Sequence, residues 1–157
     1  RLENRDPKLA ERYGKSMIND FNNGVVAWTD WNILLDQTGG PNHVGNLCFA
    51  PVHGNTQTGN LTFTNSYYYI GHFSKYIEVG AKRVKVQVTK EDVYATAFIN
   101  PNGDVVVVAQ NEGWVAELAL VVDGKGLHVY SVYGIRIIVS IGVDRNFYTH
   151  LAKQNGI

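Results

Sequence analysis

The hydrophobic period of this chain changes once, and the change falls near Gly80. Before it, Leu9, Tyr13, Met17, Ile18 and Phe21 fall on one helical face. After it, Val84, Val86 and Val88 alternate with Lys85 and Gln87, the period of a half-buried strand. A chain of 157 residues that switches period in this way is expected to join two parts. Residues 1–80 read as an α/β segment and residues 81–157 as an antiparallel all-β domain.

In the first part, Asp6-Pro7 opens a helix with an N-cap and a proline at its first position, and Asn22-Asn23-Gly24 closes it. Val25 to Trp31 then reads as a short apolar strand and Asp36 to Asn46 as a polar loop. Helix followed by strand is one step of a parallel barrel, in which binding residues gather at the C-terminal ends of strands. Asp30, Trp31 and Asn46 fall at that end. His53 to Asn60 reads as a solvated loop by composition, and Asn65 as the cap of a second helix over Ser66 to Tyr76, with Tyr69, Phe73 and Tyr76 facing inward. In the second part, strands are expected at Val93 to Ile99, Val105 to Gln110, Trp114 to Val122, Leu127 to Val132 and Ile135 to Val143. Asn100-Pro101-Asn102-Gly103-Asp104 supplies a strong turn signal. Short strands between such turns suit a sandwich.

The chemistry concentrates in Trp28-Thr29-Asp30-Trp31-Asn32, followed by Gly39-Gly40-Pro41-Asn42 and Gly45-Asn46. Indole faces cover the apolar face of a pyranose, and amides and carboxylates bond its hydroxyls. Buried polar groups at this density need partners, and a bound sugar can supply some of them. A structural turn with two packed indoles accounts for the same residues equally well.

Three blocks also resemble a known family. Gly24 to Asn46 (GVVAWTDWNILLDQTGGPNHVGN) resembles the last barrel strand and loop of family 30 glycoside hydrolases, the glucosylceramidase group. Tyr67 to Arg83 (YYYIGHFSKYIEVGAKR) is similar to the helix that follows in that family and its exit into a β-domain, and Ala97 to Ala109 (AFINPNGDVVVVA) to a hairpin of that domain. The resemblance runs from about Glu11 to Val122. It implies the last helix-strand-helix portion of a (β/α)8 barrel followed by an antiparallel β-sandwich-like domain. It further implies that Trp31 stacks near the sugar, that Asn46 lines the pocket and that Asp30 orients neighbouring groups. Core packing for Trp31, and satisfaction of backbone donors for Asp30, remain open. Two positions depart from the family: Leu47 stands where an aromatic is usual and Phe49 where an aspartate is usual.

A complete (β/α)8 barrel needs about 250 residues, so the 157 here cannot form one. The family retains anomeric configuration, which requires two carboxyl groups about 5–5.5 Å apart. Its two glutamates lie on barrel strands upstream of the Trp28–Asn32 motif, so no catalytic residue is expected within this chain. The sequence therefore leaves open whether the chain acts as an enzyme. The first reading is the C-terminal portion of a retaining β-glucosidase acting on a glucoside or glucosylceramide-like substrate, with an upstream segment or chain supplying the glutamates. The second is a non-catalytic relative that binds glycans or self-assembles through open strand edges, with Val105 to Val108 and Ile135 to Ile141 as stacking segments.

Composition narrows the field. Net charge is zero and the two signs are interspersed, which argues against nucleic acid as a partner. The single cysteine, Cys48, excludes an internal disulfide framework and reads as a buried structural thiol. His43, His53, His72, His128 and His150 show no metal-ligand spacing, and His72 is most simply a packed histidine, so no metal or cofactor is expected. Asn60-Leu61-Thr62 is an N-glycosylation sequon, relevant to a secreted or lysosome-like location.

Overall fold

A computed structural model describes residues 7–41, 43–45, 47–113, 115–122, 125–133 and 137–143. The chain divides into two compact units, residues 1–74 and 75–157.

The first unit begins with α1 (Pro7–Asn22). Its apolar stripe buries Ala10, Met17 and Ile18. Gly24, at φ 92°, closes the helix: Gly24 N–H donates to the Phe21 carbonyl (3.1 Å) and Val25 N–H to the Asp20 carbonyl (3.0 Å). That pair of bonds is a Schellman motif, and it needs a left-handed residue where Gly24 stands. The second helix, α2 (Asn65–Ser74), starts and stops earlier than its apolar pattern predicts. Phe73 is buried and meets Phe21 of α1 at 6.0 Å between ring centroids, whereas Tyr76 lies beyond the helix and is exposed.

Between the helices lies a three-stranded sheet: β1 (Leu34–Asp36), β2 (Val52–Gly54) and β3 (Leu61–Phe63). β1 and β2 run parallel with Leu35 opposite His53, and β2 and β3 run antiparallel with His53 opposite Thr62.

Two sequence expectations are corrected here. Val25 to Trp31 forms no ladder among the described residues; the strand begins later, at Leu34. A lone apolar stretch cannot hold a strand without neighbours on which to place its N–H and C=O groups. Val26 is accordingly 97% exposed. The stretch from His53 is not wholly a solvated loop, since β2 carries a buried His53 and only the turn after it is exposed.

The second unit contains β4 (Lys82–Val84), β5 (Val93–Ile99), β6 (Val105–Asn111), β7 (Val115–Val122), β8 (Lys125–Tyr133) and β9 (Ile137–Val143). One antiparallel sheet has the order β4-β5-β6-β9, and β7 pairs with β8 as a second, two-stranded sheet. Val106 to Asn111 are buried without a break, as are Ala95 to Phe98. Consecutive burial means that both faces of β5 and β6 are covered. The alternation at Val84, Val86 and Val88 does not extend β4, which stops at Val84 and leaves Val88 exposed. Val105 to Val108 lie in β6 between β5 and β9, so both of that strand's edges are already paired. Ile135, from the other stacking segment considered above, lies outside the described residues.

The β5–β6 hairpin turns where the sequence predicts. Asn100 N–H donates to the Asp104 carbonyl (2.8 Å), and Gly103 takes φ 92°. Buried Asn100 does more than turn the chain. Its Nδ2 donates to the Tyr76 carbonyl (2.9 Å), and its Oδ1 accepts from Glu78 N–H (3.1 Å).

Candidate functional site

The residues picked out by chemistry occupy two neighbouring stretches of the first unit. The first follows α1. Trp28 is half-buried and sets its ring edge-on to Tyr13 of α1, with centroids 5.6 Å apart and planes at 65°. Asp30 is half-buried next to it, and its Oδ1 accepts the Trp31 N–H at 2.8 Å. The Tyr13 hydroxyl hydrogen-bonds the same carboxylate. Burial, and then that bond, push the Tyr13 phenol above its ordinary pKa. Asp30 is therefore held from both sides, by a helix side chain and by the backbone beside it.

Trp31 is 81% exposed. It does not pack in the core of this unit, and one carboxylate-anchored amide fixes its backbone. An open indole beside a clamped carboxylate can cover a pyranose face while neighbouring polar groups meet its hydroxyls. Asn46, the third residue expected at the site, lies outside the described residues.

The second stretch is the loop from Asp36 to Pro51. Asp36 Oδ1 accepts from Thr38 N–H (2.7 Å), Thr38 Oγ1 (2.7 Å) and Gly40 N–H (2.9 Å). The Thr38 hydroxyl and then these amides hold the carboxyl below its ordinary pKa. Gly39 takes φ +86°, and a Cβ there would overlap the Cys48 carbonyl, so only glycine fits. The Gly39 carbonyl in turn accepts the Cys48 N–H (2.9 Å), closing the loop on itself. Gly40-Pro41 is a cis peptide. Cys48 is half-buried, less enclosed than a structural thiol of the core.

His53 anchors this loop from beneath. Its Nδ1 donates to the Asp36 carbonyl (2.9 Å) and its Nε2 accepts the Ala50 N–H (3.2 Å), which assigns the Nδ1–H tautomer. Phe49 packs on the same imidazole at 5.3 Å between centroids. The aromatic that departs from the family pattern is therefore a packing residue against His53. Gln37 ties the loop to the next turn, exchanging bonds with Thr56: Nε2 to Oγ1 at 3.1 Å and Thr56 N–H to Oε1 at 2.9 Å.

Sequence reasoning missed Tyr13 and His53. Tyr13 was visible only as one member of an apolar helical stripe, and nothing local marks a partner 17 positions away. His53 sat inside a polar run, although the Val52 before it hinted at a strand. His72 is half-buried, and burial lowers its pKa. Among the described residues no group of three His, Cys, Asp or Glu side chains could hold a metal ion. The bonds of Asp30 run to Tyr13 and to the Trp31 amide.

Comparison with known proteins covers both units. Residues 4–77 match the glycosyl hydrolase family 30 TIM-barrel domain, and residues 80–134 match the family's beta sandwich domain. The lysosomal acid glucosylceramidase of Mus musculus is 35% identical over 101 residues, which is 64% of this chain and 20% of that protein. Among solved structures, SrfJ from Salmonella typhimurium superposes with a TM-score of 0.72 at 28% identity, covering 91% of this chain and 29% of SrfJ. The endo-beta1,6-glucanase BT3312 gives a TM-score of 0.74 at 27% identity, over 84% of this chain and 30% of the glucanase. The chain spans about a fifth of the length of the curated relatives it matches.

Proposed function

Because the chain belongs to glycosyl hydrolase family 30 and is glucosylceramidase-like, we propose that it works as the closing barrel segment and β-domain of a retaining β-glucosidase. Its substrate is a β-glucoside, with a glucosylceramide-like glycolipid as the leading candidate. Trp28 to Trp31 form one wall of the sugar pocket. Trp31 stacks on the glucose ring, Asn46 lines the pocket, and Asp30, held by Tyr13, keeps the wall in register. The two carboxyl groups of the double displacement, acid/base and nucleophile, come from barrel strands outside residues 1–157. The mouse relative's name supports a lysosome-like setting, and no helix among the described residues is long and apolar enough to cross a membrane.

One observation carries this reading: an exposed indole directly follows a carboxylate clamped by a tyrosine and a backbone amide. The test uses the full-length protein with a fluorogenic β-glucoside, a glucosylceramide and a β-1,6-glucan. Hydrolysis of the glucoside and the ceramide, with Trp31→Ala raising KM at unchanged fold, supports the proposal. Preference for the β-1,6-glucan would move the substrate class toward that of the solved glucanase. Full activity in Trp31→Ala would take Trp31 out of the pocket.

A further inference from the structure

We propose that Asn60 carries an N-linked glycan, and that the fold leaves this site open in solvent. The inference rests on the compartment part of the functional reading, since N-glycosylation requires passage through a secretory lumen.

The sequence supplies one acceptor triplet, Asn60-Leu61-Thr62. The structure supplies accessibility. Residues 56–63 are all exposed, so the triplet and its approach lie in solvent. Thr62 lies in β3 and Asn60 immediately precedes that strand. The Asn60 backbone is anchored, its carbonyl accepting the Asn55 N–H at 2.8 Å. Its side chain makes no hydrogen bond among the described residues, so a glycan there displaces nothing.

The asparagines nearby differ. Asn55 spends its Oδ1 on Gln57 N–H (2.9 Å) and Thr58 N–H (3.0 Å), building the turn that projects Asn60. Asn65 is half-buried at the start of α2. Neither begins an acceptor triplet. The turn thus uses one asparagine as scaffold and leaves the other free for chemistry.

In the modification step the Asn60 amide nitrogen attacks the anomeric carbon of a lipid-pyrophosphate-linked oligosaccharide. A C–N bond forms, the C–O bond to pyrophosphate breaks, the amide loses a proton and the lipid pyrophosphate leaves. The position also has a structural use. Among the described strands β3 has a partner only on its β2 side, and Leu61, Phe63, Tyr67 and Tyr68 are exposed around it. A bulky hydrophilic group at the start of an open strand blunts pairing with other chains.

The experiment directs the full-length protein through the secretory route of eukaryotic cells with a heterologous signal sequence, so that the site is tested whatever the native compartment. Peptides spanning Asn60 are mapped by mass spectrometry before and after N-glycan amidase. The expected result is a glycosylated Asn60, lost together in Asn60→Gln and Thr62→Ala, with β-glucosidase turnover of both variants within twofold of the parent. A secreted, active protein with unmodified Asn60 would overturn the proposal. Localising the native protein is a separate arm: a cytosolic location would overturn physiological modification and the compartment reading together, while leaving the pocket assignment intact.

Discussion

The β5–β6 hairpin and the stretch from Val25 to Ile33 are both rich in β-branched and aromatic residues, yet only the first is a strand pair. Val93 to Ile99 meets Val105 to Asn111 in register across a five-residue turn, and β9 continues the sheet. Every backbone group of β6 finds its partner close in sequence or within the same unit. Val25 to Ile33 has the same propensity and no ladder; Val26, Trp31 and Ile33 are exposed. Propensity describes what a segment suits, and pairing decides what it becomes. Under the proposed barrel reading, the neighbours of that segment lie on strands outside residues 1–157.

The sharpest test of that contrast is Val108→Ala. Val108 is fully buried in β6, and truncating it should cost about 2–3 kcal/mol by lost contacts and residual cavity. Val26→Ala in the 157-residue chain should stay within about 0.5 kcal/mol, the usual range for an exposed position. Urea unfolding of both variants checks the pair. In the full-length protein the Val26 change should become costly as barrel neighbours cover it; equal, small costs in both contexts would break the comparison.

Asn100→Ala comes next. It removes the acceptor for Glu78 N–H and the donor to the Tyr76 carbonyl, and leaving two backbone groups unmatched should cost roughly 1–3 kcal/mol. A midpoint shift confined to the second unit, read by amide exchange at residues 76–78, supports the tether. A shift below about 0.5 kcal/mol would show that water replaces it without loss.

Asp30→Ala tests the open segment as a site. Turnover of the full-length enzyme should fall more than tenfold, about 1.4 kcal/mol of transition-state stabilisation. Tyr13→Phe, which keeps the ring on Trp28 but removes the bond to Asp30, should lower kcat by a smaller factor with little change in melting temperature. Unchanged turnover in Asp30→Ala at normal folding would reduce Asp30 to a backbone cap.

How much of this was legible in the sequence follows from the range of each interaction. The helix stop at Gly24 and the turn at Asn100 to Asp104 are written in residues within a few positions of one another. Trp31 and Asp30 stand out because indoles and a carboxylate beside a Gly-Pro turn are uncommon in a plain core. Tyr13 did not stand out, because its role exists only once α1 lies against the segment that follows it. His53 was hidden by its polar neighbours, and β2 is only three residues long. The absence of a strand at Val25 to Trp31 was the opposite error. The residues suit a strand, and no strand pairs with them among the described residues.

Asp36 offers the smallest effect and the cleanest sign. Its folded pKa is depressed, chiefly by the Thr38 hydroxyl and then by the Gly40 and Thr38 amides. A depressed carboxyl stabilises the fold wherever it is ionised in both states, which is above the unfolded value of about 3.9. That contribution is lost as pH falls from there through the lower folded value. The loop should therefore hold unchanged in a mildly acidic lumen and loosen only in stronger acid. Asp36→Asn removes the charge at every pH. The stability difference between parent and variant should be constant from neutral pH down to the ordinary carboxylate range, then shrink below it. Melting temperatures measured across that window decide the matter. A difference that shrinks already near pH 6 would mean another group governs the loop.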